Sequence, residues 1–324
     1  MARFDLSLDE LRSYLPTVRE PADFDQFWSE TLAQARRADW TVVRQSVGSP
    51  LRLVEVEDLT FAGYDGEPVK AWYLRPANTV EDLPVVVEFI GYGGGRGLPH
   101  EHLAWPNAGY AHIVMDTRGQ GASWSVGATA DPHGVGPSVP GSMTRGIADP
   151  REYYYRRLFT DAVRCVDMAK TLPGIDPERV AVVGTSQGGG ITLAVAGLRS
   201  DLAAAVFEVP FLCHFERAVG LTDADPYAEV ARYLATRRDE EDQVFDTLSY
   251  FDGVNFARRA TAPARFSTGL ADVICPPSTG FAAHNHYAGR DKDITVLPFN
   301  GHEGRGATAW LHESEFVAAH LEGR

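Results

Sequence analysis

The sequence predicts an α/β fold, a mostly parallel central sheet with helices on both faces. Three observations carry this prediction. Short apolar runs recur at residues 85–90, 111–115, 180–183, 204–209, 264–268 and 294–297, which is the pattern of strands buried on both sides. Segments of helical periodicity separate several of them, as parallel strands require. A hairpin-like stretch with period two precedes them all.

In chain order, residues 1–40 read as an accessory segment. Pro21 and Asp23 mark a helix start, and Phe24, Phe27, Leu32 and Ala35 fall on one face that can pack against the body. From about Arg52, Val54 and Val56 alternate with Glu55 and Glu57, then Tyr64-Asp65-Gly66 turns the chain into a second strand at Val69, Ala71 and Tyr73. Leu158, Ala162, Val163, Val166, Ala169 and Leu172 follow a helical spacing. Residues 121–150, rich in Gly, Pro and Ser, read as a long loop. Residues 211–260 read as a helical insertion over one end of the sheet, with Tyr227, Val230, Ala231 and Leu234 in register beside the charged run 237–242, a solvated face. No internal repeat or low-complexity linker interrupts the chain, so one domain spanning 1–324 is expected.

Composition narrows the function. A chain of 324 residues buries roughly three quarters of its unfolded surface and needs no staple. Thirty basic and 44 acidic side chains leave a formal charge of −14, a field that repels phosphate backbones and argues against nucleic acid. Cys165, Cys213 and Cys275 are too few and wrongly spaced for a disulfide framework or a zinc knuckle. No apolar run approaches the ~18 residues of a membrane span, and the first residues carry acids where a signal peptide has its apolar core. No membrane partner and a cytoplasmic location are expected.

The sharpest chemical signal is Gly184-Thr185-Ser186-Gln187-Gly188, after the run 180–183 and before a helix near Gly189. A strained strand-to-helix turn presents the serine, and only small residues two positions either side avoid clashes. A hydroxyl is a poor nucleophile without a base, and the base needs an orienting acid. On this arrangement the order is Ser, acid, His. Of ten histidines, His302 alone follows the last strand directly on a loop, in Phe299-Asn300-Gly301-His302-Glu303. Asp272 lies just past the preceding strand, whereas Asp252 looks like a turn residue. The amide of Gln187 at the helix start is one oxyanion donor. The glycine-rich turn 91–97 supplies the other, with Tyr92 nominated; the Tyr92 ring and Pro210 are expected to wall the substrate pocket. The turn lacks the helix start and acid of a dinucleotide site. His100-Glu101-His102 and His284-Asn285-His286 lack zinc-protease spacing, so no metal and no cofactor are expected.

These residues resemble a known family. Arg118-Gly119-Gln120, Gly184-Thr185-Ser186-Gln187-Gly188-Gly189 and His302-Glu303, with Met143-Thr144-Arg145-Gly146-Ile147 and Cys275-Pro276-Pro277-Ser278-Thr279, look like the acetyl xylan esterase and cephalosporin C deacetylase family, carbohydrate esterase family 7. The resemblance runs over nearly the whole chain. It implies an α/β-hydrolase fold, deacetylation of small sugars and cephalosporins, no cofactor, and a doughnut-like homo-hexamer with its sites facing an interior cavity. It places the nucleophile on Ser186, the acid on Asp272, the base on His302 and the oxyanion amides on Tyr92 and Gln187. Arg118 and Gln120 belong to a motif expected to pin loops beneath the site. Gly93 stands where many relatives carry Asn, and Gly280 where a β-branched residue is common.

The reading is therefore a serine esterase that removes O-acetyl groups from small carbohydrates and cephalosporin C. A serine peptidase would normally bring a propeller or large cap, and a noncatalytic relative would normally have lost part of the Ser, Asp, His set.

Overall fold

The computed structural model describes residues 4–38, 41–134 and 136–322. The extreme ends of the expected domain, and the end of the accessory segment at 39–40, lie outside these residues. Helices α1 (Leu8–Arg12) and α2 (Phe24–Ala35) come first, and α2 buries Phe24, Phe27, Leu32 and Ala35, the face read from the sequence. Strands β1 (Val43–Ser46), β2 (Val54–Ala62) and β3 (Pro68–Pro76) then form an antiparallel ribbon. Strand β1 has no counterpart among the sequence expectations. All four of its residues are exposed, so no apolar alternation betrays it; pairing with β2 and the Arg44–Glu57 ion pair hold it.

Strand β4 (Leu83–Phe89), helix α3 (Ala104–Asn107), β5 (Ala111–Met115), α4 (Tyr154–Ala169), β6 (Ile175–Thr185), α5 (Gln187–Leu198) and β7 (Ala204–Glu208) follow. The insertion holds α6 (Phe215–Leu221), α7 (Tyr227–Thr236), α8 (Glu241–Ser249) and α9 (Gly253–Ala257). Strand β8 (Ala264–Gly269), α10 (Pro277–His286), β9 (Lys292–Leu297) and α11 (Ala309–Leu321) complete the chain. The sheet order is β1-β2-β3-β5-β4-β6-β7-β8-β9, parallel from β5 to β9.

Side chains alternate across the central strands into two cores. Val85, Val87, Val180 and Val182 join the larger core under α2, α4, α5, α9 and α10. Val86, Ala181, Val183 and Val206 join the smaller one, with Trp105 of α3 and Phe316, Val317 and Leu321 of α11. Burial on both faces explains why these strands read as unbroken apolar runs. No helix among the described residues is long and apolar enough to cross a membrane.

Residues 116–150 contain no regular element among those described, yet they are tied down. Arg118 is fully buried; its Nη2 donates to Asp161 Oδ1 of α4 at 2.9 Å, its Nε to Asp161 Oδ2, and its Nη1 to Glu67. Asp161 Oδ1 also accepts the Tyr64 amide at 2.8 Å. One buried ion pair thus joins the β2–β3 turn, the loop after β5 and helix α4. Arg118→Met would leave Asp161 buried without its counter-charge. The expected loss of unfolding free energy is about 3–5 kcal/mol, measured by urea denaturation.

Candidate active site

Strand β6 ends at Thr185 and α5 starts at Gln187, so a single residue, Ser186, must reverse the chain. It does so at φ 58°, ψ −118°, outside the regions open to ordinary L-residues. The neighbours explain the glycines. A Cβ on Gly184 would lie 2.3 Å from the Gly188 carbonyl, and one on Gly188 would lie 2.0 Å from the Phe89 carbonyl oxygen. Ser186 N donates to Glu208 O at 2.9 Å, and Ser186 O accepts from Phe211 N at 2.9 Å. The strained turn is held at both ends.

His302 lies on the loop after β9 and Asp272 on the loop after β8. These loops bind each other through backbone bonds, Leu270 N to Leu297 O and Ala271 N to Asn300 O, each 3.0 Å. Asp272 is fully buried, and its Oδ1 accepts the amides of Ile274 and Cys275, both at 2.8 Å. Its Oδ2 lies 2.9 Å from His302 Nδ1, and His302 Nε2 lies 3.0 Å from Ser186 Oγ. A carboxylate can only accept, so Nδ1 carries the proton and Nε2 presents its lone pair to the serine hydroxyl. The three residues picked from chain order form one continuous hydrogen-bonded line.

Glu208, the last residue of β7, touches the elbow, strand β8 ahead of the Asp272 loop, and the loop carrying His302. Its backbone receives the Ser186 amide, its Oε2 accepts from Ser267 Oγ of β8, and its Oε1 lies 3.4 Å from Arg305 Nη1, three residues past His302. Sequence reading missed Glu208, because a lone acid at the end of an apolar strand carries no spacing signal.

The amides of Tyr92 and Gln187 donate to no protein acceptor among the described residues. Around them everything is fixed. Gly93 N donates to Gln120 Oε1 at 2.6 Å, and Gln120 Nε2 donates to Tyr154 Oη at 3.0 Å and to Gln187 Oε1 at 2.9 Å. Tyr155 Oη also donates to Gln187 Oε1, at 2.9 Å. Gln120 therefore ties the glycine turn to the start of α5, the pinning role expected of its motif. The Tyr92 hydroxyl donates to Glu229 Oε1 of α7 at 2.7 Å and accepts the Ser142 amide, while Glu229 Oε2 accepts the Met143 amide at 3.0 Å. Burial holds the Glu229 carboxyl above its ordinary range, against the lowering pull of those two bonds; burial likewise holds the Tyr92 hydroxyl protonated.

A cavity of about 490 Å³ opens over Ser186 and His302, walled by Ile90, Tyr92, Trp124, Asp225, Pro226 and Ile274 among others. Pro210 is not among its lining residues, which corrects the expectation that it walls the pocket. It stands behind the elbow, where a Cβ on Gly189 would meet its Cα at 3.1 Å. Pro226, brought in by the insertion, takes that place. Asp252, the other acid considered, caps α9 and accepts the amides of His214, Phe215 and Val254.

Among the described residues, one His/Cys/Asp/Glu group is close enough to share a metal ion: Asp272, Cys275 and His302. Two of these already bond each other, and burial raises the Cys275 thiol far above its ordinary range, so it is a poor thiolate donor.

Comparison with known proteins identifies the family. The Acetyl xylan esterase (AXE1) family model matches residues 1–319. The chain belongs to the acetyl xylan esterase family. A solved acetyl xylan esterase from Paenibacillus sp. R4 is 38% identical with a TM-score of 0.91, covering 98% of this chain and 100% of that one. Acetyl xylan esterase 1 from Thermoanaerobacterium sp. JW/SL YS485 is 32% identical with a TM-score of 0.89, covering 97% and 99%. The acetyl esterase Axe7A of Xylanibacter ruminicola is 27% identical over 303 residues, 89% of this chain, which spans 64% of that protein's length.

Within this acetyl xylan esterase family chain, the two departures noted in the sequence have little room to disturb the site. Gly93 sits at φ +80° with its amide held by Gln120 and its carbonyl accepting from Gly121 and Ser123. A Cβ on Gly280 would meet nothing nearer than 3.8 Å, and Gly280 does not line the cavity. Trp124 and Glu229 escaped sequence reading: one is a lone aromatic in an aperiodic loop, the other a polar position on an amphipathic helix. Tyr92→Phe would strip Glu229 and the Ser142 amide of their shared partner. It is expected to cost about 1–3 kcal/mol, and an unchanged denaturation midpoint would show that the hydroxyl does not hold the oxyanion turn.

Proposed function

We propose that this chain is a serine O-acetyl esterase acting on small acetylated carbohydrates through an acyl-enzyme. Ser186 Oγ attacks the acetyl carbonyl carbon as His302 Nε2 takes the hydroxyl proton, and the Asp272 carboxylate stabilises the resulting imidazolium. The amides of Tyr92 and Gln187 receive the developing oxyanion. His302 returns the proton to the departing sugar oxygen, leaving acetyl on Ser186. A water then gives its proton to His302 and attacks the acyl carbon, and His302 passes that proton to Ser186 Oγ as the acyl–oxygen bond breaks and acetate leaves. None of these steps calls for a Lewis acid. The observation that carries the reading is the Asp272–His302–Ser186 line at 2.9 and 3.0 Å beside two free amides, in a chain of this family.

Xylooligosaccharides, sugar acetates and cephalosporin C are the proposed substrates, and a homo-hexamer enclosing the sites is the proposed assembly. Exposed Leu53 and Val80, at one end of the β2–β3 pair, offer apolar surface for such packing.

Ser186→Ala is expected to lower acetate release by several orders of magnitude without changing the far-ultraviolet circular dichroism, while EDTA leaves the parent's rate unchanged. Retention of more than about a tenth of the activity would exclude Ser186 as nucleophile. In the gated hexamer, acetate release should be faster from acetylated xylooligosaccharides and cephalosporin C than from intact acetylated xylan. A monomer in sedimentation, or equal rates on the polymer, would remove the gate.

A further inference from the structure

Trp124 combines two properties that seldom go together. It is 63% exposed, yet its ring is docked along one edge. Nε1 donates to the Tyr92 carbonyl at 2.8 Å, and the indole lies against the glycine turn, where a Cβ on Gly94 would sit 2.4 Å from Cζ2. The glycine there clears space for the ring. An indole whose only task was packing would be covered; this one is docked at one edge and lines the cavity over Ser186.

Asp225 lines the same cavity. Its Oδ1 accepts from Arg232 Nη2 at 2.7 Å, which orients a carboxylate that stays 59% exposed. Its Oδ2 has no partner among the described residues. An open aromatic plate and an oriented carboxylate acceptor suit a ligand with an apolar C–H face and hydroxyl donors, which is the surface of a pyranose ring. A simple alkyl ester has no hydroxyl to give Asp225 and no ring face to lie flat on the indole.

We propose that Trp124 and Asp225 form the sugar subsite of this enzyme: the indole supports the C–H face of the acetylated pyranose, and Asp225 accepts a hydrogen bond from one of its free hydroxyls. The assignment rests on the esterase reading and names the part of the site that selects a carbohydrate leaving group.

The test compares kcat/KM for a mono-acetylated methyl xyloside with that for ethyl acetate, in the parent, Trp124→Ala and Asp225→Ala. The ratio should fall about 10-fold in Trp124→Ala and several-fold in Asp225→Ala, chiefly through KM for the xyloside. Unchanged ratios in both variants, or a parent with no preference for the xyloside, overturn the subsite while leaving the esterase reading intact. Calorimetric binding of the same xyloside to Ser186→Ala, with and without Trp124→Ala, needs no turnover. Binding that depends on Trp124 in a parent that releases no acetate would uphold the subsite and sink the esterase reading. If Trp124→Ala does not fold, Trp124→Phe and Asp225→Ala decide the outcome by the same ratio.

Discussion

Helix α5 begins pressed against the end of β4, so closely that a single carbon added to Gly188 would lie 2.0 Å from the Phe89 carbonyl oxygen. That approach is the constraint on which the site depends. With the helix this close, the chain leaving β6 has one residue in which to turn, and Ser186 takes the left-handed φ that the turn demands. Strain of this kind costs on the order of 1–3 kcal/mol and persists only where the surroundings over-determine it. Here they do so through Glu208 O on one side and Phe211 N on the other. The same approach brings the free Gln187 amide at the start of α5 beside the glycine turn after β4, which Gln120 bonds to Gln187, so serine and oxyanion donors share one origin.

Two buried polar arrangements extend that constraint outward. Below the oxyanion turn, Gln120 and Gln187 bond each other and the hydroxyls of Tyr154 and Tyr155, so the turn is positioned from helix α4, which the Arg118–Asp161 pair anchors in turn. Beside the serine, Glu208 reaches Ser267 and Arg305, which brings the loops carrying Asp272 and His302 to a common reference. Isolated polar groups in such places would be costly; satisfied ones hold a loop in one position. The insertion acts from the other side. Helix α7 grips Tyr92 through Glu229 while the residues just before it, Asp225 and Pro226, wall the cavity. The wall of the pocket and the oxyanion turn are therefore tied together through the Tyr92–Glu229 bond.

Much of this is legible in the sequence, for identifiable reasons. Parallel strands buried on both faces must be apolar, so β4, β5, β7, β8 and the buried end of β6 show in the sequence, whereas β9, expected to be buried on both sides, is an edge strand with no fully buried residue. The small residues around Ser186 follow from hard-sphere contact at the elbow. Chain order then left one histidine and one aspartate in reach of strand ends. Strand β1 stayed hidden because all its side chains face water and its pairing is purely a backbone matter. Pro210 was misplaced because its position in sequence, just after β7, does not reveal that the chain folds behind the elbow there.

The sequence by itself determined the fold class and the identity of the Ser, His and Asp, since each depends on local spacing or on the order of strands, and its motifs resembled the family to which the chain belongs. Tertiary structure decided what closes over them. Trp124 comes from an aperiodic loop and docks on the glycine turn, Glu229 comes from an inserted helix more than a hundred residues further on, and Asp225 and Pro226 from the stretch just before that helix line the same cavity. Such meetings are set by how separate segments pack across one another, and packing between distant segments leaves no periodicity in either of them.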